Sequence, residues 1–179
     1  PVGAMAASFA EIAPVLRSDS LLLDVGSTKH DVIAAAREHL GAHLANFVPC
    51  HPIAGKEKAG AASAQATLYQ GRQTIMTPLP ENSSSTLEMA CAVWRAVGSQ
   101  VAQMSAAQHD TVFAAVSHLP HLLAFAYGNG LLSQENGAQL LPWGGPGFRD
   151  FSRIAGSSPS MWHDVLLVYR DAVLSQSGV

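Results

Sequence analysis

The chain has 179 residues, 48% of them hydrophobic and 13% charged, with a formal net charge of -3 at neutral pH. That apolar share with so few charges excludes a disordered chain and allows one domain or two small ones. The mild acidity and the lack of any Lys/Arg run argue against nucleic acid or a membrane surface as partners; no apolar run has the length of a membrane span or follows a basic leader.

Two cysteines, Cys50 and Cys91, make no disulfide scaffold, so a reducing, cytoplasmic setting is expected. Eight histidines against ten Lys+Arg is the unusual feature, because imidazole titrates near neutrality and ligates metals.

Residues 4–17 carry apolar positions at helical spacing, with Pro14 near the end of the helix. Leu21–Val25 reads as a short buried strand, running into "DVGSTKHDV". A helix follows over Lys29–Leu40, with Ser27 or Thr28 as N-cap and Gly41 closing it. Asn46–Val48 starts a second strand leading into "PCHPIAG", and "QTIM" (73–76) reads as a third. In "NSSSTLEMACAVWRAVG", Ser85 and Glu88 have capping-box spacing and Gly98 stands where a C′ glycine belongs. "SQVAQMS" reads as a last strand. Helix and strand thus alternate over 1–105, the pattern of a mostly parallel α/β sheet.

From Ala106 to Leu132 the chain reads as one long helix interrupted at Pro120. "PWGGPGFRDFSR" is a glycine-rich loop entering another helix, and "SPSMWHDVLLVYRDAVL" is a helix beginning near Pro159. The expected division is therefore α/β over 1–105 and all-α over 106–179. No strand precedes "PVGAMAAS", and three or four strands are few for a doubly wound sheet, so the chain reads as the middle of a larger protein.

Three segments carry candidate chemistry. In "HDTVFAAVSHLPH", a regular helix at about 100° per residue stacks Asp110, Ala114, Ser117 and His121 along one stripe, a polar wall for a ligand. Pro120 removes the bond to the Val116 carbonyl and should kink the helix. The plainer alternative makes His118 and His121 an exposed pair on an interface helix. In "HPIAGKEKAG" (51–60), Pro52 biases His51 toward extended backbone at a strand end. There Ser27 can hydrogen-bond it or a shared substrate hydroxyl, as a general base needs; the alternative is a turn histidine. In "GFRDFSRIAGSSPSMW", Arg149 and Arg153 share a helix face near Trp162, after glycines that admit close backbone approach, and suit a carboxylate. The alternative there is an Asp150–Arg153 ion pair.

Taken together, "DVGSTK", "HPIAGKEKAG", "HD…SHLPH" and "GFRDFSRIAGSSPSMW" resemble, in order and spacing, the prephenate/arogenate dehydrogenase family of tyrosine biosynthesis. The resemblance runs from "PVGAMA" to the last helix. It implies the C-terminal part of a Rossmann-type dinucleotide-binding domain, then an all-α substrate and dimerisation domain, with the active site between them. It implies His51 as the catalytic histidine, Ser27 as the serine bonding that histidine and the substrate hydroxyl, and Arg153 as the ligand of the ring carboxylate. His121, Asp110, Ser117, Arg149 and Trp162 fall at positions lining or supporting the substrate pocket. Gly26, Ser27, Thr28 and Pro52 face the cofactor, NAD or NADP.

The implied reaction is oxidative decarboxylation of prephenate or arogenate by a homodimer, with no metal. A neutral His51 is required, so activity should fall as pH drops through its pKa. The family's first strand, its G-x-G-x-x-G turn and the residue selecting NAD or NADP have no counterpart here, nor do the C-terminal helices that complete the dimer. This chain alone is expected to bind nicotinamide cofactor poorly and to be inactive. Pro146 interrupts the family's glycine loop.

Two other readings compete. His109-Asp110 with His118 and His121 prompts an HD-type metal-dependent hydrolase, which leaves "DVGSTK" and the arginine loop without a role. A non-catalytic dimerising or regulatory module is the second.

Overall fold

The computed structural model describes residues 2–55 and 61–178, so the second half of "HPIAGKEKAG" (56–60) lies outside the described residues. The chain divides into two compact units, one ending at Thr111 and the other beginning at Val112.

In the first unit, α1 (Met5–Ile12) ends in a 3-10 turn, Ala13–Val15, containing Pro14. The first strand is shorter than its apolar run: β1 is Leu22–Leu23, paired parallel with β2 (Phe47–Val48). Between them lies α2 (His30–His39). Phe9 of α1, Val32 and Ala36 of α2, Leu40, Phe47 and Leu79 close one core cluster, in which Phe9 meets Phe47 edge-on at 5.2 Å. Each large apolar side chain buried this way contributes roughly 1.5–3 kcal/mol.

The strands form a two-stranded and a three-stranded sheet, and two of the three pairings are parallel as expected. A separate strand, β3 (Cys50–Pro52), runs antiparallel to β4 (Gln73–Met76), which pairs parallel with β5 (Gln100–Gln103). A parallel return requires a crossover, usually a helix. The described residues between β3 and β4 hold only a 3-10 turn at Ala61–Ser63. His51 is therefore the middle residue of a strand, opposite Ile75, and not a strand-end residue. The second cluster, Val48, Cys50, Met76, Ala90 and Trp94, seats α3 (Ser84–Ala96) on this sheet. The cap of α3 lies two residues before the expected one: Ser83 accepts from the Thr86 amide at 3.1 Å, and Gly98 (φ +84°) follows the end.

The second unit is helical. What reads as one long helix from 106 is α4 (Ala106–Phe113), a π-helical segment (Ala114–His118) and α5 (Leu119–Leu132). The Leu119 amide donates to Ala114, five residues back. One extra residue in a turn rotates everything beyond it by about 100°, so the stripe Asp110–Ala114–Ser117–His121 is not continuous. His118 takes the inward place and is fully buried, while His121 and Ser117 are half-buried; an exposed His118–His121 pair is excluded.

After α6 (Gly137–Leu140) comes α7 (Pro146–Arg153). Pro146 sits in its first turn, where a missing N–H costs nothing. A Cβ on Gly144 would lie 2.3 Å from the Phe148 ring, so this glycine makes room for a neighbouring side chain. The last predicted helix is two, α8 (Pro159–Val168) and α9 (Arg170–Ser177), broken at Tyr169. Tyr169, Val173 and Ala114 form this unit's buried cluster.

Candidate active site

In the first unit the site is organised around the backbone of Cys50. Asp24, at the end of β1, accepts from the Gly26 amide and the Cys50 amide, both at 2.8 Å. Lys29 reaches back from the start of α2 to Asp24 Oδ2 at 2.5 Å and to the Cys50 carbonyl at 2.6 Å. Both side chains are essentially buried (0% and 2% exposed). Burial pulls the Lys29 ammonium below its usual range, opposed by the Asp24 charge and hydrogen bond. The "DVGSTK" turn is thereby fastened to the strand that carries His51. A Cβ on Gly26 would meet Asp24 Oδ2 at 3.0 Å, so only glycine passes this point freely. Burial pushes the Cys50 thiol up to about 12, which removes it as a nucleophile.

His51 Nδ1 lies 2.8 Å from Nε2 of His109, a fully buried residue whose own Nδ1 is 2.7 Å from Asp110 Oδ1. Among the described residues no hydrogen bond joins Ser27 to His51; the imidazole is held by another histidine. Asp110 also receives the Lys29 amide at 3.2 Å and the His30 amide at 3.0 Å. Neither Ser27 nor Thr28 caps α2: its first N–H groups are met by a carboxylate about eighty positions along the chain. Ser105 and Gln108 fix the start of α4 reciprocally, Ser105 N donating to Gln108 Oε1 at 3.1 Å and Gln108 N to Ser105 Oγ at 3.2 Å. The compact first unit runs to Thr111 and so includes His109 and Asp110.

In the second unit His121 stacks on Trp162 (ring centroids 3.7 Å apart, planes 19° apart) and its Nδ1 lies 2.8 Å from the Ser117 carbonyl. A carbonyl only accepts, so Nδ1 carries the proton. The carbonyl engaged is Ser117's, where Pro120 pointed to Val116. Burial lowers the His121 pKa, against the Ser117 bond and with help from the Arg153 charge. Arg153 and His121 are thus electrostatic neighbours beside buried Trp162. Arg149 and Arg153 are exposed on α7, and among the described residues no ion pair links Asp150 to Arg153.

The HD-type reading lacks its ligand set: among the described residues no three His, Cys, Asp or Glu side chains are grouped to hold a metal. His118 packs edge-on against Tyr169 at 4.5 Å and Trp162 at 5.8 Å. A polar cleft of about 440 Å³ lined by Ile53, Gln65, Thr67, Gln70 and Arg72 holds none of the candidate residues. Asp24 and Lys29 are not marked as site residues by any of the motifs, and His109 is marked only as a possible metal ligand. An acid and a lysine five apart across a glycine turn, and a histidine–acid pair just after a capping box, were the available signals.

Two family models match the chain: prephenate dehydrogenase, nucleotide-binding domain, over residues 1–103, and prephenate dehydrogenase, dimerization domain, over 105–178. The cyclohexadienyl dehydrogenase of Zymomonas mobilis is 34% identical over 177 residues, 97% of this chain and 59% of that protein. The prephenate dehydrogenase of Bacillus subtilis is 34% identical over 162 residues, 90% of this chain and 43% of that protein. Prephenate dehydrogenase from Aquifex aeolicus, solved with hydroxyphenyl propionate and NAD+, superposes with a TM-score of 0.89 at 36% identity, over 99% of this chain and 62% of that one. The chain therefore spans less than two thirds of each of these relatives.

Proposed function

The chain belongs to the prephenate dehydrogenase family, and on that premise we propose that it serves the NAD(P)-dependent oxidative decarboxylation of prephenate or arogenate. His51 accepts the proton of the ring hydroxyl, with Ser27 sharing that hydroxyl. Arg153 binds the ring carboxylate, and Arg149, His121, Ser117 and Trp162 shape the pocket around the ring. The carboxylate leaves as CO2, its electron pair completes the aromatic ring, and the proton held by His51 returns to the ring oxygen to give a phenol. When bound, NAD(P)+ takes up the hydride from the carbinol carbon.

Thr28 Oγ1 is buried with no partner among the described residues, in a turn whose glycine keeps the backbone bare. That fits a polar group of the nicotinamide end against Gly26, Ser27, Thr28 and Pro52. No G-x-G-x-x-G occurs in these 179 residues, so the pyrophosphate has no such cradle among them. Exposed apolar residues on the second unit, Leu123, Tyr127, Leu132, Trp143 and Leu167 among them, support a homodimer. Both cysteines are free, in keeping with a reducing cytoplasm, and among the described residues no helix is long and apolar enough to cross a membrane. The domains we propose are 1–105 and 106–179, the first turn of α4 packing with the first unit.

The observation that carries this reading is the anchored His51: an imidazole held mid-strand by a buried partner, beside a turn fastened by Asp24 and Lys29. In the full-length protein, His51→Asn should lower turnover by roughly 100- to 10,000-fold with KM little changed, as loss of a general base does. Arg153→Ala should mainly raise KM. Unchanged turnover in His51→Asn would rule out the assigned base.

A further inference from the structure

We propose that His109, anchored by Asp110, is a positioning residue that fixes the tautomer of His51 so that Nε2 is its proton acceptor; this rests on the assignment of His51 as the base. The argument is a chain of donor and acceptor assignments. The Asp110 carboxylate only accepts, so the 2.7 Å contact places the proton of His109 on Nδ1. Neutral His109 then presents a lone pair at Nε2. At 2.8 Å from that lone pair, His51 Nδ1 must be the N–H donor. The lone pair of neutral His51 therefore resides on Nε2, the reverse of the tautomer a free histidine side chain prefers. Which ring nitrogen is basic is set by the bond the other one makes.

The anchor is itself held. Asp110 receives the Lys29 and His30 amides at the start of α2, where the helix dipole favours negative charge. His109 is fully buried and meets His51 at 65° between ring planes, so neither ring turns without breaking the line of bonds. His109 does not touch the reacting atoms; it acts through His51. The relay also ties the base to the start of α2, because Asp110 receives the Lys29 and His30 amides while Lys29 Nζ reaches Asp24 and the carbonyl of Cys50, next to His51.

Long-range 1H–15N correlation spectra of the 15N-histidine-labelled protein test this without any turnover. With His51 assigned by its loss in His51→Asn, the expected result is a protonated Nδ1 and a bare Nε2; a protonated Nε2 at neutral pH overturns the proposal. His109→Gln keeps an acceptor for His51 Nδ1–H and should retain that pattern, whereas His109→Ala should lose it; an unaltered tautomer in His109→Ala overturns it. Turnover of the full-length protein should fall by ~100-fold in His109→Ala, the scale of a misplaced reacting group, with KM near wild type, and should recover in His109→Gln. Full turnover in His109→Ala, with His51→Asn inactive, sinks the relay and leaves His51 as base. Full turnover in His51→Asn sinks the base assignment, while the spectra still decide the tautomer.

Discussion

His109 and His118 are both fully buried histidines nine positions apart, and the two units use them in opposite ways. In the first unit both ring nitrogens of His109 are committed to named partners, Asp110 and His51. In the second, His118 is enclosed by the Trp162 and Tyr169 rings, and His121 lies flat on Trp162. The first unit buries charge and satisfies it through a connected polar network; the second surrounds its histidines with aromatic surface. Removing one member of a buried polar network leaves its partners unsatisfied, a penalty that aromatic packing does not carry. The polar network of the first unit should therefore tolerate substitution less than the aromatic cluster of the second.

The largest expected effect breaks that network at its most buried pair. Lys29→Met leaves the Asp24 carboxylate buried beside two amides without its counter-charge, and should cost about 3–5 kcal/mol in urea unfolding. Replacing both, Asp24→Leu with Lys29→Met, should cost less than the sum of the two single changes. Additive losses would mean that the pair is not coupled, and the contrast between the units would lose its basis.

Much of the architecture was legible because it is written locally. The "QTIM" strand has the bounds its sequence indicates, Pro159 begins α8, and Pro14 falls in the turn that ends α1. What escaped depends on partners far along the chain. The cap of α2 was assigned to Ser27 or Thr28 because capping is ordinarily local; Asp110 supplies it from about eighty residues away. The antiparallel run of β3 follows from how the 53–72 connection returns, which no alternation pattern encodes. The π segment was hidden because Pro120 explains a kink by itself, and a one-residue insertion leaves no mark in helical periodicity. His51, His121 and Arg153 are proposed as site residues on the strength of motifs. His109 was noticed only as a possible metal ligand, and its contact with His51 is a tertiary fact.

A smaller effect tests how local the helix signals are. Ser83→Ala should cost about 1 kcal/mol, because Ser83 Oγ accepts the Thr86 amide. Ser85→Ala, at the position the capping-box spacing favoured, should lie within about 0.5 kcal/mol of wild type. Equal losses at the two positions would return the cap to Ser85.

The smallest effect concerns the aromatic side, and its sign follows from the His121 shift. Burial, aided by the Arg153 charge, lowers the pKa of folded His121 below its ordinary 6.5. Between the folded value and 6.5 the unfolded chain binds more protons than the folded one. The contribution to stability is therefore complete above 6.5 and is lost as pH falls through the folded value. His121→Gln removes that titration. Between pH 7.5 and 5.5 the wild type should lose more Tm than His121→Gln, by on the order of 2 °C, because water screens a half-exposed ring. The Asp110-anchored relay offers no such relief: its acidic anchor stays bonded to His109 whether His121 is charged or not. An equal or greater Tm loss in His121→Gln would show that the acid sensitivity of this fold originates outside the His121–Trp162 stack.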